Sequence, residues 1–162
     1  MKTSLLFLII APLSFWRGAG GEVLAQNLVP NPSFESFTQC PTNSGQINFA
    51  SDWINFAITP DYYNSCATNA GFSVPNNFAG YQQAANGNAY SGTHNKELPN
   101  INLREYIGIQ LSDSLEIGKK YVVSFKASLS LGGIFKANCA TNNMGALFTT
   151  YLFYYDGNYC DY

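Results

Sequence analysis

Hydrophobic and polar positions alternate most clearly over residues 103–131. Leu103, Glu105, Ile107, Ile109 and Leu111 share one face, and Arg104, Tyr106, Gly108 and Gln110 share the other, which is the period of a half-buried strand. Tyr121, Val123, Phe125, Ala127, Leu129 and Leu131 repeat the pattern against Val122, Ser124, Lys126, Ser128 and Ser130. Residues 112–120 between them contain Gly118 and suit a long antiparallel connection plugged by Leu115 and Ile117. One packed face and one wet face predict an all-β chain, an antiparallel β-sandwich with this pair of strands at its centre. On the wet face Arg104, Tyr106, Gln110, Ser124, Lys126 and Ser128 are expected to stand side by side.

Elsewhere the pattern is shorter. A strand is expected near Ile47, another from Asn88 to Gly92, and another from Met144 to Phe148, while the Gly-, Asn- and Gln-rich residues 71–94 read mostly as loop. Asp156-Gly157 is a hairpin-turn dipeptide in an aromatic C-terminal stretch. Six or seven strands are counted in all.

The first 25 residues read differently from the rest. Met1-Lys2 is a short basic start, residues 5–15 are an apolar run, and Val23-Leu24-Ala25 is a small-residue cleavage site. That is the plan of a secretory signal peptide removed after Ala25, and the run is shorter than the roughly 20 apolar residues a membrane span needs. Residues 26–162 are then one exported domain, expected outside the cell or on its outer surface, with no transmembrane segment after cleavage.

Charge and cysteines narrow the picture further. Charged residues are 11% of the chain, aromatics 15%, and the formal net charge is −2, so nothing attracts nucleic acid. Cys40, Cys66, Cys139 and Cys160 all follow the leader, and an even count in an exported chain predicts disulfides. Four cysteines allow three connectivities, and proximity along the chain favours Cys40 with Cys66. Zinc is a poor alternative, because no cysteine pair has knuckle spacing and His94 is the only histidine.

Candidate chemistry is that of binding. Sugars are held by aromatic platforms ringed with amide, hydroxyl and guanidinium donors, which Arg104, Tyr106, Gln110 and Lys126 supply on the wet face. An ordinary solvated sheet face has the same composition. Trp53, Tyr62, Tyr63 and Tyr81 are loop aromatics on this reading; the Tyr pair beside Asp61 is the exposed candidate and Trp53 a cap on the core. Glu105, on the apolar face, is expected at an open strand end where water reaches it. His94 lies in no nucleophile-elbow pattern and the carboxylates of Glu35, Asp52, Asp61 and Glu105 are scattered, so a non-catalytic protein without a cofactor is expected.

The phrase Asn27-Leu28-Val29-Pro30-Asn31-Pro32-Ser33-Phe34-Glu35 resembles the first strand of the carbohydrate-binding-module-like, galactose-binding-like jelly rolls. Cys40-Pro41-Thr42-Asn43, Trp53, Pro60-Asp61-Tyr62-Tyr63-Asn64-Ser65-Cys66 and Val74-Pro75-Asn76-Asn77-Phe78 continue the likeness to N-terminal domains of exported proteins of gliding-type Gram-negative bacteria. The resemblance runs from Asn27 to Phe148 and, a jelly roll having roughly eight strands, implies that the chain is truncated at its C-terminus. It implies a binding module for a glycan or cell-envelope polymer, or else a spacer domain whose C-terminal partner is missing, or the accessory module of an exported hydrolase. It also implies one structural calcium ion at Glu35, of which only the N-terminal half is matched, because the closing acidic strand is absent here.

Overall fold

The computed structural model describes residues 3–6, 9–12, 26–98, 101–130, 132 and 144–151, and it is all-β and antiparallel. In chain order the strands are β1 (Thr3–Leu6), β2 (Ile9–Pro12), β3 (Trp53–Ala57), β4 (Asp61–Asn64), β5 (Asn76–Asn77), β6 (Gly80–Tyr81), β7 (Ala89–Leu98), β8 (Ile101–Arg104), β9 (Tyr106–Ile109) and β10 (Tyr121–Ser124). Strand β7 is the hub. It pairs with β1 and β4 on its two edges and continues into β8, while β3 pairs with β9, β5 with β6, and β10 with β2. Strands β1 and β2 fall within the segment read as a leader. Residues 13–25, where cleavage is expected, lie outside the described residues.

The turns explain the placement of the strands. Asn31 sits at φ 45° and its side chain holds the N-terminal loop closed, accepting from Ser36 N at 2.9 Å and donating to the carbonyls of Ser36 and Ser51 at 2.8 Å each. That bend turns Phe34 inward, where it stacks on Trp53 with ring centroids 4.4 Å apart. Asp52 at φ 70° starts β3, a conformation that Asp tolerates better than most residues. Before β7 the chain reverses at Gly87, φ 69°, and the Glu35 carboxylate occupies the space a side chain there would need. Its Oε1 accepts the Asn88 N–H at 2.7 Å, so the first loop is clamped to the start of the hub strand.

The core forms between these elements. Val29, Phe34, Ile47, Trp53, Tyr62, Tyr63, Phe72 and Tyr90 are its large members, and Tyr63, Phe72, Phe78 and Tyr90 pack ring against ring at 5.2–6.4 Å. The Cys40–Cys66 disulfide forms as expected, tying the N-terminal loop to the residues just after β4. On the loop-entropy model a ring of that size stabilises by about 3.5 kcal/mol. Cys139 and Cys160 lie outside the described residues.

Several expectations are corrected. The stretch 103–111 is two strands with different partners, because Glu105 breaks the ladder between them: β8 pairs with β7 and β9 with β3. Regular pairing of the next stretch ends at Ser124, and its partner is β2 rather than the stretch preceding it. Thus Arg104, Tyr106 and Gln110 do not stand beside Ser124, Lys126 and Ser128 on one face. Ile47 opens a 3₁₀ turn, Ile47–Phe49, instead of a strand. Residues 76–81 form a short hairpin where loop was expected, β7 runs well past Gly92, and residues 144–148 are irregular. Ile117 plugs nothing: it is fully exposed at the loop tip, and Val123 is exposed as well. The Asp156-Gly157 turn lies outside the described residues.

Candidate functional site

Two buried carboxylates connect the core to the surface. Asp61 opens β4 with its Oδ1 accepting from Gly45 N at 2.9 Å and its Oδ2 from the Tyr63 hydroxyl at 3.2 Å. Burial pushes its carboxyl up to about 6; the Gly45 hydrogen bond opposes the rise, the nearby Glu105 charge adds to it, and the Tyr63 hydroxyl opposes it. Glu105 is buried too, contrary to the expected wet strand end. Its Oε1 accepts from Thr59 N at 3.2 Å and Thr59 Oγ1 at 2.9 Å, and its Oε2 from His94 N at 2.7 Å. With both of its oxygens accepting from protein donors, this carboxylate is a brace that joins the 58–60 turn, β7 and the β8–β9 junction.

The tyrosines expected in an exposed loop are core residues of β4. Tyr62 and Tyr63 are 0% exposed and point to opposite faces of the strand, both of them covered. Tyr62 donates its hydroxyl to Phe34 O at 2.9 Å and accepts from Asn64 Nδ2 at 2.7 Å. Burial is the main reason the Tyr62 hydroxyl is pushed up to about 12 and Tyr63 higher still. Trp53 is buried as its capping role required, with its indole N–H donated to Asn31 O at 2.9 Å. None of the three is available to stack on a ligand, because their rings are buried in the core.

Tyr106 keeps the position expected of it. Opposite residues of an antiparallel pair share a face, so Ile54 and its partner Gly108 look outward together, two residues along from Tyr106. Ile54 is 38% and Tyr106 41% exposed, while Ile107 and Ile109 pack inward against the core. The ring of Phe56 packs directly on Gly108: a Cβ built there would sit 1.6 Å from Phe56 Cε2. Glycine at this position is what lets the ring come down onto the strand.

The end of β3 is strained. A register shift between Asn55 and Ala57 places an extra residue there, and Ile58 follows at φ 61°. A β-branched residue in the left-handed region is held at a cost of about 1–2 kcal/mol. Asn55 Nδ2 donating to Ile58 O at 2.9 Å and Glu105 accepting from Thr59 are what hold it. Ile58 is 44% exposed as a result. Asn55 Oδ1 is buried and receives no hydrogen bond from a described residue.

Arg104 and Gln110 lie exposed at the two ends of β9, and Lys126 is exposed in the irregular segment after β10, off this face. The structure therefore sets Tyr106 on β9, with Arg104 just ahead of the strand and Gln110 just after it, and adds Ile54 and Phe56 from β3, which the sequence reading missed. The missed signal is Gly108, a glycine in the interior of a strand. Glu35 is engaged with the Asn88 backbone, and among the described residues no three His, Cys, Asp or Glu side chains gather into a metal-holding group. No helix among those residues is long and apolar enough to cross a membrane. Comparison with protein-family models, with curated proteins and with solved structures finds no match to this chain.

Proposed function

We propose that the chain is an exported, non-catalytic binding module of jelly-roll type that holds a glycan or cell-envelope polymer on the outer face of β3 and β9. One observation carries this reading: Tyr106, Ile54 and the Phe56 ring packed on Gly108 leave a partly exposed apolar surface on β3 and β9, with the exposed polar side chains of Arg104 and Gln110 before and after β9. Such a surface suits the apolar face of a sugar ring, stacked on an aromatic and fixed by hydrogen bonds at its edge. The strained Ile58 beside it supports the same reading, since strain that the surroundings must hold is found preferentially at functional sites. No cofactor enters this function. A spacer domain would need no such surface, and a Ser- and Thr-rich face would serve it as well.

The test is a glycan array with the full chain, alongside Tyr106→Ala and Gly108→Ala variants checked for folding by circular dichroism. Loss of a stacking ring is expected to weaken binding about tenfold. The added methyl group of Gly108→Ala should do as much by lifting Phe56 off the strand. Retention of full binding by both folded variants would move the site elsewhere, and a folded chain that binds no glycan would favour the spacer reading.

A further inference from the structure

Tyr81 is the most exposed tyrosine of the β5–β6 hairpin region at 59%, yet everything around it is anchored. Phe78 packs in the core at 5.7 Å from Tyr63, Ala79 is buried, and Gln82 N–H donates to Pro75 O at 2.8 Å. Gly80, at φ 126°, turns the chain so that the next side chain leaves the surface. The Tyr81 hydroxyl accepts from Gln83 Nε2 at 2.7 Å, and the neighbouring Gln82 side chain is fixed by Ser128 Oγ at 2.6 Å and Gln83 O at 2.8 Å. An aromatic ring presented to water on a rigid mount costs little further ordering when a ligand covers it.

Beside the ring is a pocket of about 10 Å³ lined by Asn77, Tyr81, Gln82, Tyr90 and Ser130, room for one water or one hydroxyl. Its walls are uncharged, Ala79, Gly80 and Leu129 completing them, and Tyr90 and Ser130 supply hydroxyl groups. Tyr90, 1% exposed, accepts at its hydroxyl from Asn77 Nδ2 at 2.6 Å, and its own proton is left to donate. Burial pushes that hydroxyl up to about 12, against the Asn77 hydrogen bond, so it remains a donor at neutral pH. Ser130 Oγ donates to Ala79 O and keeps lone pairs to accept with. One donor and one acceptor facing a one-hydroxyl space match a group that both donates and accepts, which is an alcohol.

We infer that Tyr81 and this pocket form a second ligand site, for a single neutral sugar ring that stacks on Tyr81 and places one hydroxyl between Tyr90 and Ser130. The site shares no residue with the β3–β9 face, and it stands or falls separately from the function proposed for that face. No charged side chain lines the pocket, which favours neutral pyranosides over sugar acids and phosphates.

The ¹⁵N-labelled full chain is titrated with the methyl glycosides of glucose, galactose and mannose, observing the side-chain amides of Asn77, Gln82 and Gln83. At least one of the three should shift these signals saturably. Tyr81→Ala, an exposed substitution that leaves the fold intact, should weaken that binding about tenfold, and Tyr90→Phe should weaken it by a similar factor. Absence of any shift at these amides with all three sugars, shifts confined to β3 and β9, or shifts that survive Tyr81→Ala unchanged would each overturn the site. Loss of polysaccharide binding in Tyr106→Ala bears on the other face only, so the two outcomes separate.

Discussion

Strands β4 and β9 both carry tyrosine, and the comparison between them organises this molecule. In β4 all four residues are buried, and the polar tips of Asp61 with Tyr63 and of Tyr62 with Asn64 satisfy one another two residues apart on each face. In β9 the tyrosine faces water while Ile107 and Ile109 face the core. What differs is the place of the strand. β4 is covered on both sides, so its polar atoms must find partners inside; β9 has one open face, on which the Tyr106 ring is partly exposed.

The sharpest way to break that comparison is to truncate a tyrosine in each strand. Tyr63→Ala removes a fully buried ring and should cost about 3–5 kcal/mol in urea denaturation, whereas Tyr106→Ala should stay within about 0.5 kcal/mol of the parent. Equal costs would mean that the two strands are buried alike.

Glu105 joins the two regions, because it lies between β8 and β9 while bracing the turn that follows β3. Glu105→Ala leaves the Thr59 N–H, the Thr59 hydroxyl and the His94 N–H without their acceptor and should destabilise by about 3 kcal/mol. Hydrogen exchange should quicken at the Thr59 and His94 amides first. Unchanged exchange there would mean that the brace does not hold.

The pH dependence sharpens the picture on the β4 side. Asp61 ionises near 3.8 in the unfolded chain and near 6 when folded, so between these values the folded state holds a proton that the unfolded state has released. Stability from this group is therefore fully present below pH ~4, falls as pH rises through 6, and is absent above about 7, a change of about 3 kcal/mol. Asp61→Asn mimics the protonated form, and the stability difference between variant and parent should move in the variant's favour across that window. A difference that is flat from pH 4 to 7.5 would place Asp61 in contact with solvent.

Much of the architecture was legible in the chain. Alternation over 103–111 and 121–131 located strands, and antiparallel all-β structure follows from it; local order along the chain pointed to the Cys40–Cys66 bridge. The site was legible only in part. Tyr106 was recognisable because it alternates with Ile107 and Ile109, but Tyr62-Tyr63 looked like an exposed pair since Asp61-Tyr62-Tyr63-Asn64 contains no aliphatic residue.

Periodicity reports which side chains share a face, since the two-residue repeat is a property of the backbone alone. It does not report what covers that face. Whether Asp61 and Glu105 meet solvent or backbone donors depended on residues 11 to 46 positions away along the chain, among them Gly45 and Thr59. Only the folded chain brings those donors within 3.2 Å, and that closure split one alternating stretch at Glu105, buried both β4 tyrosines, and left Tyr106 and Tyr81 at the surface.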